Sequence, residues 1–163
     1  MIGLRKSTER NKDMITIRKM VEKDTEEVFG MMRVFYNSDA VFHTSSDAVL
    51  LRDIADCVSD MPFVEGFIFE VDGNIAGYAM TALSYTTEYG GISVWVEDIY
   101  LKPEYRKLGI SSKFFRHIEE LYPQAVRFKL EVEQENEIAI ASYKKNGYGI
   151  SPYFEMTKEM IED

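Results

Sequence analysis

Two periods run through the apolar positions of the chain. Residues 14–18 alternate, with Ile15 and Ile17 on one face, and Phe67, Phe69 and Val71 alternate again; a period of two marks a strand with one face buried. Asp72-Gly73-Asn74 then offers a tight turn and residues 75–85 return, so this stretch reads as a β-hairpin. Residues 86–91 form a second turn. Residues 94–101, VWVEDIYL, are apolar on both faces, as a central strand is, except for the adjacent pair Glu97 and Asp98. On a regular strand those two side chains point to opposite faces, and a bulge would re-aim both. Pro103 ends the strand because it has no N–H for the ladder. Residues 126–132 supply the next strand. Residues 148–150 and 153–158 read as the strands that finish the sheet, with a turn or bulge at Pro152.

The other period is helical. Asp24 is placed to cap a first helix, with Glu27 three residues on in a capping-box arrangement and Val28, Met31, Met32 and Phe35 on the apolar face. Ser45 or Ser46 caps a second, whose stripe is Leu50, Ile54, Cys57 and Val58, and Pro62 closes it. A third begins near Gly109, with Ile110, Phe114, Ile118 and Leu121 in line. The fourth begins at Asn136; Asn136, Ala139 and Tyr143 share one face, and Gly147 takes the position just past the helix end. Trp95 belongs to the core, and His117 to the solvent side of the third helix.

At 163 residues this pattern describes one domain, residues 14–163, behind a leader or arm of thirteen residues. That arm carries Arg5, Lys6, Arg10 and Lys12 without an apolar centre, so it is no secretory signal. The acidic excess is 28 − 19 = 9 charges. It argues against nucleic acid as a partner and is compatible with a cationic small molecule, though a solvated acidic surface explains it equally. No apolar run approaches a membrane span. Cys57 is the only cysteine, which excludes an intrachain disulfide and suits a cytoplasmic protein. No metal-ligand cluster stands out, and Glu131, Glu133, Glu135 and Glu137 read as solvated, with attraction of a cation as the alternative.

The segment between the central strand and the third helix carries chemistry. Arg106-Lys107-Leu108-Gly109-Ile110-Ser111 puts small residues where a backbone can approach a bulky anion, and the first free amides of the helix point at that anion. Such a loop suits a pyrophosphate; by itself it is equally an ordinary strand-to-helix turn.

Arg106-x-x-Gly109-x-Ser111 resembles the acyl-CoA signature of the GNAT acetyltransferase superfamily, with Ser111 in place of the usual glycine or alanine. A second block agrees: Asn136, Ala139, Tyr143, Lys145, Gly147 and Tyr148 follow the superfamily's Asn-x-x-Ala-x-x-x-Tyr-x-Lys-x-Gly-aromatic segment. The Glu97-Asp98-Ile99-Tyr100-Leu101 run is most similar to the spermidine/spermine (diamine) branch. The resemblance implies an α/β GNAT fold: a mixed, mostly antiparallel sheet of six to seven strands, about four flanking helices, and a cleft where the central strand and the next splay apart.

It also implies an acetyl-CoA-dependent N-acetyltransferase working by direct transfer in a ternary complex, with a small polyamine- or diamine-type acceptor, and a homodimer. Acetyl transfer to a protein or amino-acid amine, or a non-catalytic acyl-CoA sensor, are the alternatives. Carried over residue by residue, Glu97 is the base and Tyr143 the acid. Ile99, Tyr100 and Leu101 would meet the pantetheine arm; Arg106, Lys107, Leu108, Gly109, Ile110, Ser111 and Ser112 the pyrophosphate; Asn136 and Ala139 the cofactor's polar arm. The connection holding Tyr36, Asp39, Phe42 and His43 would border the acceptor cleft.

Overall fold

The computed structural model describes residues 14–160, so the thirteen-residue arm lies outside the described residues. One sheet runs in chain order through β1 (Ile15–Lys19), β2 (Val64–Val71), β3 (Asn74–Thr86), β4 (Gly91–Leu101) and β5 (Ala125–Leu130). The first four strands are antiparallel, whereas β5 lies parallel to β4. The helices are α1 (Thr25–Tyr36), α2 (Asp47–Val58), α3 (Ile110–Leu121) and α4 (Glu137–Lys145). A parallel neighbour needs a crossover, and α3 supplies it between β4 and β5. Among the described residues, no helix is long and apolar enough to cross a membrane.

Each face of the sheet carries its own core. On one, Phe67, Phe69, Val94 and Val96 pack against Ile110, Phe114, Phe115 and Ile118 of α3, with Tyr143 of α4 at the margin. On the other, Ile68, Tyr78 and Met80 pack against Val28, Met31 and Met32 of α1 and Leu50 and Ile54 of α2. Parity along β2 sends Phe67 and Phe69 one way and Ile68 the other, as the alternation in the sequence requires. The stripe of α3 is buried at Ile110, Phe114 and Ile118 as expected and gains Phe115, whereas Leu121 at its end is exposed. His117 is half-buried against the Phe67 ring, 5.8 Å away, and not wholly on the solvent side. Trp95 is half-buried, its ring covered by Lys129.

Two expectations are corrected. The sheet has five strands among the described residues, because 148–150 and 153–158 form none. Residues 149–160 are exposed along their whole length, with Phe154 fully so. Alternation makes a strand only where a neighbouring edge completes its ladder, and no described strand of this chain pairs with them. Asp24 also does not cap α1. Its carboxylate is buried instead, accepting from both terminal nitrogens of Arg18 at 2.7 and 2.9 Å and from the Val21 amide at 2.9 Å. Glu27 pairs with Lys102 at 2.5 Å, tying α1 to the end of β4. At α2 the expectation holds: Ser46 accepts from the Val49 amide.

Candidate active site

The site is built by two irregularities of β4. The first is a bulge. Met80 of β3 pairs with Asp98 but the next residue, Thr81, pairs with Val96, so Glu97 is the extra residue. The bulge breaks the alternation of β4: Val94 and Val96 face α3, as do Ile99 and Leu101 beyond it, while Tyr100 joins the opposite core. Glu97 and Asp98, which a regular strand would separate, therefore line the same cavity on the α1/α2 side, about 210 Å³ in volume.

The second irregularity is a splay. The parallel pairing of β4 with β5 ends at Val96 and Leu130, while β4 continues to Leu101 paired with β3 alone. Residues 97–101 therefore present one unpaired backbone edge, the kind of edge that an extended amide-bearing chain can join.

Asp98 is 4% exposed and fixed from two sides. The Tyr36 hydroxyl donates to its Oδ1 at 3.0 Å and the Tyr78 hydroxyl to its Oδ2 at 2.9 Å. Burial pushes the Asp98 carboxyl up to about 6, partly offset by those two donors. Tyr36 and Tyr78 are themselves raised, by burial first and then by the charge of Asp98, so both stay protonated. Glu97 has no side-chain hydrogen bond among the described residues and keeps contact with solvent. Desolvation by the cleft walls, and next the charge of Glu155, raise its carboxyl. The neighbouring Glu155 carboxyl, and then burial, raise the Glu131 carboxyl.

On the other side of β4 lies a cleft of about 440 Å³. It brings together Leu101, Lys107, Gly109, Ile110, Ser111 and Ser112 and adds Ala141, Ser142 and Lys145 from α4, which the sequence reading did not assign to the cofactor. Lys107 and Gly109 adopt left-handed backbone at φ 65° and 83°, so the loop turns sharply twice before α3. The Lys113 amide is the first to close on the loop, donating to Gly109 O at 3.1 Å, which leaves the amides of Ile110, Ser111 and Ser112 without a protein partner among the described residues. Three free amides at a helix start form a seat for a phosphate group, and the exposed Lys107 and Lys145 add positive charge. Arg106 donates from Nε to Leu101 O at 3.2 Å, bracing the loop against the end of β4.

The remaining assigned residues divide. Asn136 caps α4, its Oδ1 accepting from the Ala139 amide at 3.1 Å, so its amide group is the part left for a ligand. Neither Asn136 nor Ala139 lines the cleft just described. Tyr143 packs its ring edge-on to Phe115 at 5.9 Å, and its hydroxyl has no protein partner among the described residues. Burial raises that phenol. Tyr100 turns its ring toward Phe35 and Tyr78, leaving only its backbone for the cofactor side. Tyr36, the last residue of α1, reaches the cavity, but the connection after it does not: Phe42 is 94% exposed, and Asp39 and His43 are exposed. Sequence reasoning missed Asp53 and Asp56 of α2, and Val64, Met80 and Thr81, which complete the cavity wall. The only trace of the two aspartates is a pair of acids one turn apart at the border of the Leu50–Ile54–Cys57 stripe. The Cys57 thiol is pushed up to about 12 by burial and then by Asp53, which makes it a poor nucleophile.

Comparison with known proteins agrees with this architecture. Thialysine N-epsilon-acetyltransferase of Sus scrofa is 30% identical over 146 residues, covering 82% of this chain and 83% of the relative. The Mus musculus protein of that name is 30% identical over 141 residues, 78% of this chain and 80% of its own. Among solved structures, a possible acetyltransferase from Clostridium difficile 630 superposes with a TM-score of 0.78 at 20% identity, over 91% of this chain and 99% of the other. The aminoglycoside acetyltransferase AAC(6')-Iy, in complex with a CoA-based bisubstrate analog, superposes with a TM-score of 0.74 at 17% identity, over 91% and 99%. Residues 31–148 match the acetyltransferase (GNAT) family, and the chain belongs to that family.

Proposed function

We propose that this protein is an acetyl-CoA-dependent N-acetyltransferase that passes an acetyl group directly to a primary amine in a ternary complex, with small polyamine- or diamine-type acceptors favoured. The observation that carries the reading is the bulged, splayed β4, with a phosphate seat on one side and a carboxylate cavity on the other. Acetyl-CoA supplies an activated thioester. The amides of Ile110, Ser111 and Ser112 bind its pyrophosphate, the free edge of 97–101 aligns the pantetheine arm, and Asn136 and Ala139 meet its polar part. A main-chain N–H near Ile99 faces the acetyl oxygen, a placement worth roughly 3–4 kcal/mol in the transition state.

The acceptor amine arrives charged, since an alkyl ammonium has a pKa of about 10.4. Glu97 takes its proton, directly or through a water; its raised carboxyl makes it a stronger base than an ordinary glutamate. Asp98 holds Tyr36 and Tyr78 and so shapes the pocket around the amine. Tyr143 keeps its proton at neutral pH and gives a hydrogen bond, then the proton, to the departing thiolate. A homodimer is part of the reading. Its support is the outer edge of β5, unpaired among the described residues, and the uncovered apolar residues Ile150, Tyr153, Phe154 and Met156. Acidic charge argues against nucleic acid as a partner, and the lone free thiol suits the cytoplasm.

The test is thiol release from acetyl-CoA with an amine panel of spermidine, putrescine, lysine and a basic peptide. Turnover is expected on the small amines. Glu97→Gln lowers kcat at neutral pH by about a hundred- to ten-thousandfold with acetyl-CoA binding intact, and Tyr143→Phe slows transfer with little change in affinity. Saturable CoA binding without turnover on any amine would instead describe a sensor.

A further inference from the structure

Two carboxylates compete for one place in the sheet. Thr81 of β3 pairs with Val96 and Ala79 pairs with Ile99. Between those pairs β3 has the single residue Met80, whereas β4 has two acids, Glu97 and Asp98. A bulge pairs one of the two and leaves the other over. Either choice keeps Val96 and Ile99 on the α3 face, so the core on that side does not decide between them. The decision is made on the opposite face.

There the paired place is fitted for an aspartate. Tyr78 pairs with Tyr100, which makes Asp98 its diagonal neighbour on the α1/α2 side. Tyr78 is 0% exposed, and its hydroxyl donates to Asp98 Oδ2 at 2.9 Å. Tyr36, at the end of α1, donates to Oδ1 at 3.0 Å. Both rings are themselves braced, Tyr36 edge-on against Phe35 at 5.3 Å and Tyr78 against Tyr100 at 6.1 Å. One methylene more on the acid would carry its carboxylate past these hydroxyls. Glu97, by contrast, is exposed and has no side-chain hydrogen bond among the described residues. The position of the bulge in β4 is therefore set by side chains of β3 and α1.

We infer that Tyr36 and Tyr78 are positioning residues for transfer: by holding Asp98 in the paired place they keep Glu97 as the bulged residue, and so aim both its carboxylate and the Ile99 amide. The inference rests on the transferase reading and deepens it. Both tyrosines act through Asp98. When their hydroxyls are removed, Glu97 can take the place opposite Met80 and Asp98 becomes the residue left over. The base then moves inward, out of line with the amine, and the backbone that leads into Ile99 turns with it. The phosphate seat, on the other side of β4, is untouched by that exchange.

Tyr78→Phe and Tyr36→Phe test this, each removing one hydroxyl and keeping the ring. In thiol release with putrescine as acceptor, each should lower kcat by about tenfold or more while KM for acetyl-CoA stays at the parental value. In an Asp98→Ala background, where there is no carboxylate to hold, Tyr78→Phe should make no further difference; if that background does not fold, the two single variants decide alone. Amide hydrogen exchange, measured without any substrate, supplies the second readout. Exchange at residues 96–99 should quicken in both single variants by clearly more than exchange in β2. A tyrosine that only stabilises the fold would quicken the whole sheet in step and leave kcat alone. Parental kcat in both variants, a further loss of kcat in the Asp98→Ala background, or exchange that rises evenly through the sheet would overturn the assignment. If the unaltered protein turns over no amine, the transferase reading fails by itself. The exchange at 96–99 then still decides whether the tyrosines pin the bulge.

Discussion

A single unpaired residue, Glu97, decides what the central strand presents to the acceptor cavity. Without the bulge Glu97 and Asp98 would lie on opposite faces; with it, both line one cavity, and Asp98 is locked there by two tyrosines. The locked carboxyl has a consequence for stability. Its folded value of about 6 lies above the ordinary aspartate value of 3.8, so folding favours the protonated form. The stabilisation from that proton is fully present below about pH 4 and is lost as pH rises through about 6. Asp98→Asn removes this dependence. The stability of the variant relative to the parent should rise between pH 4 and pH 7, by on the order of 2–3 kcal/mol, in urea titrations at a series of pH values. A difference that stays flat across that range would contradict a buried, proton-binding Asp98. In the sequence, two adjacent polar residues inside an apolar strand announced that something was unusual here. Which way each would point was not legible, because the bulge is a property of the pairing with β3.

At the scale of elements, β4 is held in register by a close approach that only glycine permits. A Cβ on Gly77 would lie 2.1 Å from the Tyr100 carbonyl oxygen, inside the β3–β4 ladder and opposite the part of β4 that faces the cofactor cleft. Gly77→Ala should therefore destabilise the fold by about 2–3 kcal/mol in urea titration and displace 99–101 enough to weaken acetyl-CoA binding. A variant of parental stability and affinity would show that the strands can separate there at no cost. The elements themselves were readable from period and punctuation: the hairpin at Asp72-Gly73, the end of β4 before Pro103, the Ser46 cap and the start of α4 at Asn136 all stand where the pattern put them. Two misreadings share a cause. Asp24 is drawn into the Arg18–Glu70 network instead of capping α1, and residues 148–158 have no partner edge among the described residues. Both outcomes depend on neighbours distant in sequence, which local pattern does not encode.

For the molecule as a whole, the sheet is a partition. One core seats α3 and the glycine-bearing loop before it, the other seats α1 and α2 with the acidic cavity, and the bulged segment of β4 lies between the two clefts. That division explains why the loop before α3 was legible in the sequence and the acidic cavity was not. A phosphate seat uses a short contiguous stretch, Arg106 to Ser112, whereas the acceptor cavity gathers Tyr36, Asp53, Thr81 and Glu97 from four separate elements. Everything proposed for transfer depends on the seat at the start of α3. Isothermal titration of acetyl-CoA into the purified protein tests it most directly. Saturable uptake at one site per chain is predicted, weakened about tenfold in Gly109→Ala because the left-handed turn at φ 83° costs any other residue about 1–2 kcal/mol. No detectable uptake of acetyl-CoA or CoA, or uptake indifferent to Gly109→Ala, would contradict the account.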